Sequence, residues 1–355
     1  MDNGILHWVA DETALQQLMA DQSILALIVV IVGCIAMLSK GADWMIDGVV
    51  DLATRTGMPK IVIGATVISL GTTLPEAFVS VMAAYMGNPG LALGNGVGSI
   101  IADTGLIFGL TCVLVAVPVN RFILNRTGWV QVGSASLLVL IAVVALFTAA
   151  PGEEPMLERW VGFTFLGLLS LYLFMTYRWA RQGGEMNSGA AAEEPAEELM
   201  SLSLAWVMVV GGLLLVIIGA RILVPAASEI ALRLSVPEDV IAATMVAFGT
   251  SLPELMTAIA AVRKGHPEIT VGNIVGADVL NVLFVIGAAA VAAPLAIPDN
   301  FYFFHFPAML IILFSFRVFI SMNKLVFHRW QGFWLLGVYV TYIVMQYALN
   351  IGAAH

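Results

Sequence analysis

Charged side chains are scarce in this sequence. Of its 355 residues 11% are Asp, Glu, Lys or Arg, against 60% that are hydrophobic, and the mean hydropathy is +0.96. So little charge excludes a soluble globular domain and leaves a chain that crosses a bilayer several times. Basic residues are the scarcer sign, 15 against 24 acidic ones, for a net charge of -9. No basic stripe exists to neutralise phosphates, which argues against a nucleic-acid partner. Cysteine is nearly missing: Cys34 and Cys112 sit in apolar runs with no second thiol at metal spacing, and read as small buried hydrophobes rather than a disulfide or redox pair. His7, His266, His305, His328 and His355 are scattered with no partner at ligand spacing, which argues against an imidazole metal site or a histidine proton relay. Residues 1–23 hold Asp2, Asp11, Glu12 and Asp21 but no Lys or Arg, whereas a cleaved signal peptide begins with basic residues. That segment is expected to stay on the mature protein as a polar terminus, with a short interfacial helix starting near Asp11.

Long apolar runs are what the chain has instead. Ten spans are expected, at 24–54, 60–86, 91–118, 129–149, 160–179, 202–233, 239–262, 270–297, 303–321 and 331–350. The first and sixth exceed what an upright crossing needs and should tilt. Alternate connections collect Arg55, Lys60, Arg121, Arg126, Arg178, Arg181, Arg263, Lys264, Arg317, Lys324 and Arg329, which are 11 of the 15 basic residues. That side is therefore read as cytoplasmic, with both termini outside. Trp8, Trp44, Trp129, Trp160, Trp179, Trp206 and Trp330 fall near expected span ends and read as interfacial anchors. Residues 182–201 read as a cytoplasmic acidic linker: Gly183-Gly184, a run of alanines, Pro195 and five glutamates lack any calcium-loop spacing. This linker separates a first five-helix half, 24–181, from a second, 202–350, with 351–355 as a tail. Asp43, Asp47 and Asp51 recur every four residues on the first span and read as a solvated face, with Asp51 at pairing distance from Arg55.

The two halves repeat one another. Sliding the sequence on itself by 178 residues aligns Gly41–Gly109 with Gly219–Gly287 without a gap, and nine of sixteen positions are identical between 61–76 and 239–254. Five spans is an odd number, so equivalent parts enter the membrane from opposite sides. The fold expected is thus an all-α integral membrane protein of ten helices in two inverted-topology repeats, with broken helices at the midplane.

The best-preserved stretch occurs as Gly71-Thr72-Thr73-Leu74-Pro75-Glu76 and as Gly249-Thr250-Ser251-Leu252-Pro253-Glu254. An ionised acid inside the membrane costs about 2.5 to 3.5 kcal/mol even on lenient insertion scales, so two of them need a purpose. Pro75 and Pro253 lack an N–H and should free the carbonyls of Gly71 and Gly249. Thr72, Thr73, Glu76 and Ser80 share a helix face, as do Thr250, Ser251 and Glu254. Each half thus offers a carboxylate, hydroxyls and freed carbonyls. Hard oxygens without imidazole or thiolate suit calcium, sodium or magnesium, and two carboxylates that meet suit a divalent ion best. The following helix of each half adds Asn95, Ser99 and Asp103, matched by Asn273, Ala277 and Asn281, all at spacings of four. Asp103 is a third buried acid, while Asn95 and Asn273 either join the site or serve packing and capping.

The paired GTxLPE segments, each followed by a Gly-Asn-x-x-Gly helix, resemble the alpha repeats of the cation/calcium antiporter superfamily, and the whole chain looks like a prokaryotic sodium/calcium exchanger. The resemblance implies calcium held by Glu76 and Glu254 with the carbonyls of Thr72 and Thr250. Sodium would share those glutamates and use Thr73, Ser251, Ser99 and the carbonyls of Ser69 and Ala247. The first and sixth spans would slide over the rest to alternate access. Against that pattern Asp103 stands where asparagine is usual and Asn281 where aspartate is usual, while Ala277 replaces a serine and removes a hydroxyl from one sodium position. Asp278 next to it is turned by about 100° along the helix and is expected to point elsewhere.

The mechanism read from these residues needs no cofactor and no covalent chemistry. When calcium leaves, repulsion between Glu76 and Glu254 must be relieved by sodium ions or by protons. The partners implied are inorganic cations and the lipid bilayer, with no obligate protein partner, and the short linker suits a prokaryotic cell membrane. A proton-coupled calcium antiporter would use the same glutamates. An intramembrane hydrolase could place paired acids around water, but would not require their duplication.

Overall fold

The computed structural model describes residues 12–150, 152, 154–187, 199–234, 251–323 and 325–348. Helix α1 (Glu12–Ala20) leads into α2 (Ile24–Thr56), whose N-terminus is capped by the Ser23 hydroxyl accepting the Ala26 N–H. Then come α3 (Lys60–Thr72) and α4 (Leu74–Tyr85), bent by 42° at the break between them, and α5 (Pro89–Leu114). After a short strand β1 (Val117–Pro118) follow α6 (Arg121–Thr148), β2 (Met156–Leu157) and α7 (Arg159–Asn187). The second half contains α8 (Leu202–Arg233), α9 (Leu252–Arg263), α10 (Pro267–Ala292), β3 (Leu295–Ala296), α11 (Phe301–Met322), β4 (Val326–Phe327) and α12 (Arg329–Ala348).

Seven of the described helices are long and apolar enough to cross a membrane, namely α2, α5, α6, α7, α8, α10 and α11, and the bent pair α3–α4 makes an eighth candidate. The chain is a multi-pass membrane protein, and among the described residues it is helical apart from two small antiparallel pairings, β1 with β4 and β2 with β3, which the sequence did not predict. Helix α7 runs on to Asn187, into the acidic stretch expected as linker; residues 188–198 of that linker lie outside the described residues. So do residues 239–250 of the expected seventh span.

Burial separates a centre from a periphery. In the most apolar windows of α10 and α5, 83% and 72% of residues are buried, against 22% and 28% in α2 and α8. The sequence explains the difference: α5 and α10 are rich in glycine and alanine, which lets neighbouring backbones approach closely. Helices α2 and α8 pack mainly on each other. They cross where a Cβ on Gly41 would lie 2.6 Å from the Gly212 carbonyl oxygen, so neither position admits a side chain.

Both central helices widen by a π-type turn, Asp103–Phe108 in α5 and Asn281–Ile286 in α10, and α3 carries another at Gly64–Ile68. The first two lie 178 residues apart, as do α4 and α9, α5 and α10, and β1 and β3. Phe108, on the first wide turn, is fully buried and meets Phe316 edge to face at 4.7 Å. Asp47 keeps its side chain 40% exposed, as a solvated face implies, and ties α2 to the end of α9 through Lys264 at 2.7 Å. Asp51 is buried, pairs with Arg55 at 2.5 Å as its spacing predicts, and also accepts the Met200 N–H. Cys34 and Cys112 are buried thiols.

Candidate ion site at the helix breaks

The first copy of the doubled stretch sits at a helix break, and the described part of the second, from Ser251 on, begins a helix. Thr73 (φ -82°, ψ -5°) separates α3 from α4, and Ser251 (φ -84°, ψ 6°) precedes α9 in nearly the same conformation. Pro75 and Pro253 occupy the second positions of the new helices, where the missing N–H breaks no intrahelical bond. The break therefore falls at Thr73, two residues after Gly71, whose carbonyl Pro75 is expected to free. Glu76 and Glu254 lie in the first turns of α4 and α9, where the positive end of the helix dipole favours a carboxylate by about 0.3 to 1 kcal/mol.

Both glutamates are 1% exposed, as is Asp103, and Glu76 lies within electrostatic reach of Glu254 and Asp103. Side chains from both halves converge on them. The Thr72 hydroxyl faces the Glu254 carboxylate and also lies 3.4 Å from Asn273 Oδ1. Ser251 faces Asp103. Ser69, Thr73, Ser99 and Asn281 are buried, and the Ser69 carbonyl accepts the Thr73 N–H at 2.9 Å. Thr250 and Ala247 lie outside the described residues.

The chemistry of this centre shows in what is left unpaired. Thr73 Oγ1, Glu76 Oε2, both oxygens of Asp103, Ser251 Oγ, Glu254 Oε2 and Asn281 Oδ1 are buried without a hydrogen-bond partner. Such orphaned oxygens are costly, and nearly all native buried acceptors find a donor or a cation. Among the described residues no three acids, histidines or cysteines converge tightly enough to hold a metal by themselves. An ion here needs hydroxyls and carbonyls beside the carboxylates. Asn95 serves the frame: its Nδ2 donates to the Glu76 carbonyl at 3.1 Å and to Ser80 Oγ at 3.0 Å, tying α5 to the first turn of α4. Asn95→Ala is expected to lower stability by about 1 to 3 kcal/mol, because it removes two buried hydrogen bonds that tie α5 to α4. Thermal melting in detergent reads this, and an unchanged melting temperature would refute the tie.

Sequence reasoning missed one cluster. Asp278, expected to point away, is 1% exposed, and its Oδ2 accepts from Thr104 Oγ1 and, at 2.5 Å, from Gln131 Nε2. It lies within electrostatic reach of Asp103. Gln131 is a polar amide within an apolar span, and that was the available signal.

The family model described as sodium/calcium exchanger protein matches residues 26–178 and 204–348. The chain belongs to the sodium/calcium exchanger family. Inner membrane protein YrbG of Escherichia coli is 32% identical over 330 residues, covering 92% of this chain and 98% of that one. Sodium/calcium exchanger MaX1 of Methanosarcina acetivorans is 27% identical over 344 residues, 88% and 96% of the two chains. Among solved structures, the sodium-calcium exchanger NCX_Mj superposes with a TM-score of 0.76 at 27% identity, over 91% of this chain and 99% of that one. As an exchanger-family protein the chain is a membrane transporter and not an enzyme.

Proposed function

We propose that this exchanger-family chain is a secondary-active antiporter that trades Ca2+ for Na+ by alternating access at one shared site built around Glu76 and Glu254. The observation that carries the reading is the meeting of these two carboxylates, each in the first turn of an equivalent helix and each with an oxygen left unpaired. Calcium takes oxygens from Glu76 and Glu254 and from the carbonyls of Thr72 and Thr250. Sodium uses the same glutamates with Thr73, Ser251, Ser99, Asp103, Asn281 and the carbonyls of Ser69 and Ala247. Emptied of cations, the site holds like charges in a medium of low dielectric, so it cannot reorient until sodium enters. That obligation couples the two fluxes.

The frame proposed is ten spans in two inverted repeats, 24–181 and 202–350, joined by the 182–201 linker. The shared 178-residue offset of α4 and α9, and of α5 and α10, supports it. The weakly buried pair α2 and α8 slides across the centre. By the positive-inside rule both termini are extracytoplasmic, in the cell membrane.

Proteoliposomes loaded with sodium and diluted into choline at fixed pH should take up radioactive calcium, and sodium-free vesicles given a pH step should not. Uptake driven only by the pH step would replace sodium by protons, the reading that the buried Ala277 favours because it offers no hydroxyl.

A further inference from the structure

Asp278 lies outside the glutamate pair, yet its surroundings are as purposeful. Thr104 and Gln131 both donate to its Oδ2, while its Oδ1 has no partner. The Gln131 side chain is 1% exposed, and the bond from its Nε2 to Asp278 fixes the amide head, leaving Oε1 unpaired. Asp103 stands within electrostatic reach with both oxygens unpaired. Asp278 Oδ1, Gln131 Oε1 and both Asp103 oxygens are thus four acceptors without a partner, and the one bare hydroxyl that faces Asp103, that of Ser251, cannot satisfy them all. Among the described residues no ion pair reaches either carboxylate. Two buried like charges without a counter-charge are a standing cost, and a cation would remove it together with the orphaned acceptors.

The cluster also breaks the internal symmetry. The residues equivalent to Asp278 and Thr104 are Ile100 and Val282, both buried and apolar. The opposite half therefore cannot hold a second copy of this arrangement. Its hard oxygens exclude softer metals. Four bare oxygens also fall short of the six to eight that calcium takes.

We propose that Asp103, Asp278 and the amide oxygen of Gln131 form an additional site for one monovalent cation of sodium's class, set to one side of the glutamate pair. Thr104 holds Asp278 in place. Asp103 is common to this site and the central one, so a cation bound here opposes calcium without touching both glutamates. The inference deepens the sodium-exchange reading and rests on it for the role of the site, but binding can be read without transport.

The test uses purified full-length protein in detergent, free of calcium, titrated with sodium chloride against choline chloride at constant ionic strength while its melting temperature is followed. Displacement of bound radioactive calcium by sodium is measured in parallel. Asp278→Asn should need about tenfold more sodium for the same thermal shift, as expected for losing one charged partner. The Hill coefficient of calcium displacement should fall by about one, the number of sites removed. Gln131→Met, which keeps length but lacks the oxygen, should shift both in the same direction by less, and it carries the test should Asp278→Asn fail to fold. Variants that titrate like the wild type overturn the site. Sodium stabilisation weakened in the variants, without sodium-driven calcium flux in the wild type, keeps the site and overturns the exchange reading. A wild-type protein indifferent to sodium overturns both.

Discussion

Replacing Glu254 by glutamine is expected to lower sodium-driven calcium uptake about a hundredfold or more while the protein remains folded. The substitution keeps the volume and one oxygen, so packing around α9 is unchanged, but it removes one of the two charges facing the ion. Losing one partner of a buried charge interaction costs about 3 to 5 kcal/mol, and each 1.4 kcal/mol is tenfold in affinity. The same change relieves repulsion in the empty site, where Glu254 acts on both Glu76 and Asp103. Without calcium or sodium, the variant should therefore melt at or above the wild-type temperature. Loss of transport with undiminished stability separates a ligand from a structural residue. Uptake within about threefold of wild type, under a rule by which each charge counts for at least tenfold, would sink the assignment. Glu76→Gln should behave alike, and the double variant should cost less than the two singles combined, because both act on one ion.

How much of this centre could be read from the sequence differs residue by residue. Glu76 and Glu254 were legible because an acid beside proline and glycine in an apolar run has few innocent explanations, and the repetition doubled the signal. The wide turns were not legible. Neither Asp103–Phe108 nor Asn281–Ile286 holds a proline, and only the first holds a glycine, so no shared local signal marks them; the first packs Gly105, with Gly109 just beyond it, against α12. Asp278 shows a different limit. Helical spacing turns it about 100° from Ala277, but what stands opposite comes from Thr104 and Gln131, 174 and 147 residues away in sequence. Asp51 fails in the same way: its periodicity said solvent, and the Met200 backbone, contributed by the far end of the linker, covers it. Periodicity fixes a direction relative to a helix axis, and only the fold supplies the neighbour.

Gly276→Ala is expected to reduce calcium uptake at least tenfold and to lower the melting temperature by several degrees, against the ordinary sign of such a change. On an exposed helix, alanine for glycine gains about 1 kcal/mol. At Gly276 the added Cβ would lie 2.5 Å from Ser69 Oγ and 2.6 Å from the Ala65 carbonyl oxygen. One turn earlier, a Cβ on Gly272 would come within 2.0 Å of the Ile61 carbonyl oxygen. These neighbours are mostly backbone and have no flexible end to move aside, so α10 must shift away from α3, and overpacking of this kind costs about 1 to 3 kcal/mol. The shift is not confined to packing. Helix α3 carries Ser69, Thr72 and the break at Thr73, and α10 carries Asn273, which lies 3.4 Å from the Thr72 hydroxyl. Parting the two helices moves half of the oxygen cluster relative to the other half. Gly33→Ala is the control, since Gly33 is exposed on α2 with no atom within 4 Å among the described residues, and it should leave melting and uptake at wild-type levels or slightly above. If Gly276→Ala matched the control in both assays, α10 would not be seated on α3 as closely as its glycines allow, and that crossing could not be what holds Thr72 against Glu254.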